Sequence, residues 1–166
     1  MRGTGPAPAP ASGPLPGPAS GLAYGFAFVA FLAHSLEEVF GGLPAWAEAR
    51  GSGVTEAQFA TAACGLACAA GALLLFGWIR PLLIPLQIAV AMLAGAFLAN
   101  ALSHLLGSLL ARAVMPGLWT GLCLLGPGAG WLLTCLPLAA RTKARAALAG
   151  AGLMPLLAAG ALWLAA

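Results

Sequence analysis

The sequence predicts an all-α fold, a polytopic transmembrane bundle of about five helices with a disordered N-terminal tail. Three observations predict it. Hydrophobic residues make up 61% of the 166-residue chain, charged residues make up 7%, and Asp is absent. The mean hydropathy is +0.98. Apolar runs of roughly twenty residues recur, the helix length needed to cross a hydrocarbon core about 30 Å thick. A soluble domain of this size needs a charged surface that this composition does not supply. The expected partner is the lipid bilayer, and the expected location a cell membrane crossed several times.

Residues 1–20 (MRGTGPAPAPASGPLPGPAS) form a Pro/Gly/Ala tail without an apolar run. They read as disordered, because they carry nothing to bury, and not as a signal peptide. A single transmembrane domain over residues 21–166 follows. Its first span is Leu22–Phe40, and a connector covers residues 41–53. Thr55, Glu56 and Gln58 look like the polar first turn of a second helix running to Ile79. Arg80-Pro81 breaks the chain, since proline cannot continue a helix and a charge prefers the interface. The third span is Leu82–Leu106, extendable to Leu110, with Pro85 in its first turns, where a missing amide costs least.

Pro116-Gly117 opens a fourth span to Ala140, with a kink expected at residues 126–130 (GPGAG). Arg141, Lys143 and Arg145 form a basic connector before a fifth span, Ala146–Ala166. A four-span chain, in which the last Gly/Pro-bearing segment fails to cross, is the alternative. Trp46, Trp78, Trp119, Trp131 and Trp163 mostly fall near span ends, as interfacial Trp does. With five spans, Arg2, Arg80, Arg141, Lys143 and Arg145 share one side, against Arg50 and Arg112 on the other. The excess puts the N-terminus in the cytoplasm and the C-terminus outside.

Net charge is +3, too weak and too scattered for a nucleic-acid footprint. Cys64, Cys68, Cys123 and Cys135 make no CxxC pair or zinc-knuckle spacing and read as small apolar residues packed in membrane helices.

Against this apolar background stand His34, Glu37 and Glu38 in the first span and Asn100 and His104 in the third. Ionisable residues inside membrane spans are rare and usually functional. Both motifs lie late in odd-numbered helices, so they reach the same membrane face. The second and fourth helices begin on that face and bring Glu56, Gln58 and Thr120 to it. Positions i, i+3 and i+4 share a helix face, so each motif converges on one side. Two imidazoles with two carboxylates suit Zn²⁺ or another divalent metal. A His₂Glu site would use His34, Glu38 and His104 as ligands. Glu37 would activate a bound water and Asn100 would orient a ligand or polarise a carbonyl. The reverse assignment of Glu37 and Glu38 is nearly as plausible. A purely structural His–Glu network is the plainer reading. Glu56 and Gln58 read as solvated helix-cap residues, and Thr120 alone as a hydroxyl bonding its own backbone.

The three runs His34-Ser-Leu-Glu37-Glu38, Asn100-Ala-Leu-Ser-His104 and Pro116-Gly117-Leu-Trp-Thr120 resemble HxxEE, NxxxH and PGxxT. These are marks of the HXXEE-motif family of small bacterial membrane proteins. The resemblance covers residues 23–136 and leaves out the tail and the final helix. It implies a shared architecture and site and names no reaction. It also implies that Pro116, Gly117 and Thr120 lie beside the cluster. A looser likeness, to intramembrane proteases with a Glu-Glu motif, lacks the Arg expected soon after the Glu pair.

Three functions follow. The first is a metal-dependent membrane hydrolase acting on a lipid or membrane-embedded bond. The second is a proton-coupled carrier, against which stand the missing internal repeat and the gathering of polar groups at one face. The third is a non-catalytic membrane protein with a structural His–Glu network.

Overall fold

A computed structural model describes the backbone of residues 18–166 and the side chains from residue 21 on. Residues 1–17 of the expected tail lie outside the described residues, while 18–20 already belong to the first helix. The described chain is helical throughout and contains no strand. Among the described residues, five helices are long and apolar enough to cross a membrane, the last one included, which speaks against the four-span alternative.

The first span is α1 (Pro18–Phe40). Gly41 and Gly42 end it, and Gly42 takes the left-handed φ of 74° that starts a short helix, α2 (Leu43–Glu48). The sequence pattern did not anticipate α2, because six residues are too few to show a helical period. Its Trp46 ring carries the Arg50 guanidinium at 3.7 Å, and Arg50 also donates to the Trp46 carbonyl.

Next comes α3 (Glu56–Ile79), whose first turn is capped by Thr55; the Thr55 hydroxyl accepts from the Gln58 amide at 3.2 Å. Glu56 is exposed in that turn. Gln58 does more than cap, because its side chain donates to the Leu162 carbonyl at 2.9 Å and ties the second span to the last. Arg80 ends α3, and Pro85 enters the first turn of α4 (Ile84–Ala111) as expected.

The fourth span, Leu118–Cys135, is one helical rod of three parts. They are α5 (Leu118–Thr120), a π-helical turn (Gly121–Leu125) and α6 (Gly126–Cys135). The distortion expected at residues 126–130 lies one turn earlier. Pro127 has no N–H and crowds the carbonyl four residues before it, so the strain falls on the turn preceding the proline. There the chain widens to an i→i+5 bond, from the Gly126 amide to the Gly121 carbonyl.

Two boundaries differ most from expectation. The fourth span ends at Cys135 and not at Ala140, because Pro137 forces Leu136 into extended backbone (ψ 139°). The fifth helix, α7 (Ala140–Leu164), starts six residues early, so Arg141, Lys143 and Arg145 occupy its first turns and not a connector. Lys143 donates to the Thr134 carbonyl at 3.0 Å, satisfying an orphan at the end of α6.

Packing rests on small residues. α7 lies along α4, where a Cβ on Gly95 would fall on the Ala147 backbone and one on Gly150 on the Met92 backbone. Close backbone approach of this kind drives helix association where lipid supplies no hydrophobic gradient. The core around Ala27, Phe31, Val90, Phe97, Leu125 and Leu132 joins α1, α4 and the fourth span. Cys64, Cys68 and Cys123 are exposed on the outside of the bundle and not packed within it, a correction to the sequence reading.

Candidate functional site: a buried His–Glu–His cluster

His34 and Glu38 stand one turn apart on α1, and His104 faces them from α4. His34 is fully buried, His104 is 1% exposed and Glu38 is 8% exposed. The two imidazoles meet edge-on with ring centroids 4.8 Å apart. Glu38 Oε1 lies 2.9 Å from His104 Nε2 and 3.3 Å from His34 Nε2. One potential ligand atom from each of the three residues falls within 4.8 Å of the others.

Glu37, the neighbouring carboxylate, looks elsewhere. Adjacent helical residues diverge by about 100°, and Glu37 reaches the start of the fourth span. Its Oε2 accepts the Thr120 amide at 2.8 Å and also the Thr120 hydroxyl, while Oε1 receives the Trp119 amide at 3.4 Å. A carboxylate at a helix N-terminus satisfies orphan amides and meets the positive end of the helix dipole. Thr120, expected from its own residue type to bond its own backbone, is instead joined to two site residues. Its hydroxyl also lies 3.1 Å from His34 Nδ1.

That chain of contacts assigns a tautomer. Thr120 has one hydroxyl proton, and the Glu37 carboxylate takes it. His34 Nδ1–H then donates to Thr120, which leaves the Nε2 lone pair facing inward. Asn100 Nδ2 donates to that Nε2 at 2.8 Å. His104 Nε2 pairs with Glu38, whereas its Nδ1 is buried without a hydrogen-bond partner.

Gly117 is what lets the fourth span come so close. Its φ is +94°, a conformation that penalises any side chain. A Cβ there would also sit 2.6 Å from His104 Cε1 and 2.9 Å from His34 Cε1. Pro116 packs on the end of α1, where a Cβ on Gly41 would come within 3.0 Å of it. Each of the three runs singled out in the sequence thus supplies part of one assembly. Residues 26–132 match a protein family described as "protein of unknown function with HXXEE motif". The chain belongs to the HXXEE family. No curated protein and no solved structure matches it.

In this HXXEE protein the cluster borders a cavity of about 330 Å³ between α1, α3, α4 and α7. Ser35, Glu38 and Asn100 form its polar end, and nearly all the rest of its wall is apolar. Sequence reasoning passed over Ser35, although its place three residues before Glu38 puts it on the same helix face. Phe59, Met154 and Leu162 were also missed; they are ordinary apolar positions that only packing brings to the cavity.

One expectation needs correction. Polar groups inside the membrane do not all gather at one face. Tyr24 and Gln87 lie toward the opposite face, where the Tyr24 hydroxyl donates to Gln87 Oε1 at 2.6 Å. Gln87 Nε2 in turn donates to the Gly77 carbonyl at 2.7 Å. Gln87 binds the end of α3 and is satisfied within the bundle, as a buried amide must be.

The residues are compatible with a divalent metal in chemistry, and two of their separations are those of neighbouring ligands. Bonds of about 2.0–2.1 Å to Zn²⁺ put tetrahedral ligands roughly 3.3 Å apart, close to the two separations that converge on Glu38 Oε1. An imidazole whose outer nitrogen donates to an oxygen, itself bound to a carboxylate, is the support that metal-ligating histidines usually have.

Proposed function

We propose that this protein is a divalent-metal-dependent membrane hydrolase acting on a lipid or membrane-embedded substrate. The observation that carries the proposal is the convergence of His34, Glu38 and His104, whose candidate ligand atoms lie within 4.8 Å of one another. The Glu37–Thr120 pair holds His34 with its proton on Nδ1, so that Nε2 faces Glu38 Oε1 at 3.3 Å. In the absence of a metal these two acceptors are satisfied by Asn100 and by His104, and a cation between them would take the place of both donors.

His34, Glu38 and His104 would hold the metal, Zn²⁺ or another divalent ion. A metal so bound supplies Lewis acidity and lowers the pKa of a bound water. The residues do the rest. Glu38 offsets part of the positive charge. Asn100, which donates to His34 Nε2 in the absence of a metal, would give up that bond to a metal and have both N–H groups to offer a substrate carbonyl. Its place in the cavity wall supports that role. Glu37 acts through Thr120 and His34, because its carboxylate is committed to the start of the fourth span. The apolar walls of the cavity lower the local dielectric and would strengthen each of these interactions.

The charge asymmetry of the connectors supports an N-terminus in the cytoplasm and a C-terminus outside, in a cell membrane. The site would then lie toward the outer face. Residues 21–166 would form one domain, with the preceding residues dispensable.

Metal content of protein purified in detergent tests the reading. Stoichiometric zinc or another divalent ion is expected in the parent protein, and its loss in His104→Ala and Glu38→Gln. A folded parent protein without metal, after growth with each candidate ion, would rule out the metalloenzyme. A second reading, a metal-free hydrogen-bonded network that locks α1 to α4, is favoured by the Asn100 amide, which occupies the His34 Nε2 lone pair at 2.8 Å. It predicts equal destabilisation by both substitutions with no metal to lose.

A further inference from the structure

The cavity has one polar end and long apolar walls. Along α1 it runs from Phe31 to Glu38, and along α4 from Leu93 to Asn100. Each stretch spans roughly 10 Å at about 1.5 Å per residue. A volume of about 330 Å³ over that depth makes a channel one chain wide. It falls at the lower end of the range of small-molecule sites, about 300–1,000 Å³.

Two residues that line the cavity are also exposed. They are Ala69 on α3 and Leu157 on α7, the latter 52% exposed. The opening therefore lies between α3 and α7, on the surface that faces hydrocarbon in a membrane-spanning bundle. Gln58 bridges α3 to the Leu162 carbonyl on α7 at the same end as Glu38. The side passage is thus closed toward the headgroups and open toward the acyl region.

We infer that the cavity binds a single acyl chain, entering from the bilayer between α3 and α7, with its neutral carbonyl presented to Asn100 and Glu38. An apolar ligand from the membrane explains why the wall is hydrocarbon-like and why the polar groups stand only at its end. The uncommitted N–H of Asn100 suits a carbonyl oxygen. Without a bound metal, the Glu38 carboxylate at the same end disfavours an anionic head and favours an ester or amide over a free fatty acid. This names the substrate class for the proposed hydrolase and rests on that reading for the chemistry, although not for the binding. In hydrolysis, the water oxygen would bond to the acyl carbon, the acyl–oxygen bond of the ester would break, and the alcohol would leave with a proton.

The test uses the full-length protein in phosphatidylcholine vesicles with two photoactivatable probes. One is a monoacyl glycerophosphocholine with a diazirine near the chain terminus; the other is the free fatty acid with the same chain. After illumination, peptide mapping should find the ester probe on the inner wall, at Leu73, Leu93 or Met154, in excess over outward residues such as Leu75 and Phe76. Ala63→Phe and Ala158→Phe, which fill the channel from α3 and from α7, should each remove the inner adducts and leave the outward ones. Adducts confined to outward residues, or inner adducts unchanged by both fillings in folded protein, would overturn the inference. Equal inner labelling of the metal-free protein by the fatty acid would overturn the assignment of the carbonyl end. His104→Ala separates the two proposals, because it should abolish metal binding and hydrolysis yet retain inner labelling. Inner labelling in a parent protein without metal would leave the acyl site standing and remove the hydrolase.

Discussion

Glu37 and Thr120, 83 residues apart, are joined twice: the Glu37 carboxylate accepts both the backbone amide and the hydroxyl of Thr120. A side chain late in the first span thereby caps the start of the fourth, and through the same hydroxyl it fixes the ring of His34. HxxEE and PGxxT are in this sense one device, built from two ends of the site.

This pairing separates the two carboxylates experimentally. Glu37→Gln removes the charge at the helix N-terminus and the acceptor that draws the Thr120 proton. It should destabilise the fold by about 1 kcal/mol and weaken metal binding about 10–100-fold, as loss of a supporting contact does. Thr120→Val should act in the same direction. Glu38→Gln should abolish stoichiometric metal outright. Metal titration and thermal unfolding of the three variants, side by side, check the ranking. Stronger metal loss in Glu37→Gln than in Glu38→Gln would reverse the assignment of ligand.

How much of this was legible in the sequence depends on what each feature needs. The five spans were legible, because length and apolar content alone determine them. The meeting of His34, Glu38 and His104 was legible from helical spacing and from the alternation of spans. Which glutamate faces His104 was not, since adjacent residues differ by a third of a turn and only the docking of α4 and the fourth span decides between them. Gln87 escaped notice because a lone amide lacks the spacing that marks a motif. Its bonds to the end of α3 come from tertiary packing. The early start of α7 was readable in principle from Pro137, which excludes Leu136 from a helix.

Gly117 carries two demands, and substitution should reveal both. Its φ of +94° makes Gly117→Ala strained by about 1–3 kcal/mol, and the added methyl would press on both imidazoles. The expected outcome is a lower unfolding temperature together with loss of metal. Gly130 provides the contrast, since a Cβ there meets nothing within 4 Å. Gly130→Ala should be neutral or stabilising by up to about 1 kcal/mol through helix propensity. Similar behaviour of the two variants would refute the steric account of the PGxxT motif.

The crossing of α4 and α7 should depend on Gly150 in the same way without touching the cluster. A Cβ at Gly150 overlaps the Met92 backbone, whereas one at Gly152 meets nothing within 4 Å. Gly150→Val should therefore loosen α7 and expose it to protease, while Gly152→Ala should not. α7 supplies no candidate ligand, so the folded fraction of Gly150→Val should keep its metal. Metal loss in step with the loosening would mean that α7 positions the cluster as well as walling the cavity.

Orientation can be checked at both ends of the chain. Arg141, Lys143 and Arg145 stand in the first turns of α7, and their basic charge favours the cytoplasmic side. A reporter active only outside the cytoplasm should therefore be active when fused after Ala166 and silent when fused before Met1. Replacing Arg141 and Arg145 with Gln should raise the fraction of inverted chains. Lys143 should be retained in that variant, because its bond to the Thr134 carbonyl would otherwise confound topology with stability. A C-terminal reporter silent in the parent protein, with the N-terminal one active, would move the site toward the cytoplasmic face. The geometry of the cluster would stand, but its substrate would then have to come from the inner leaflet.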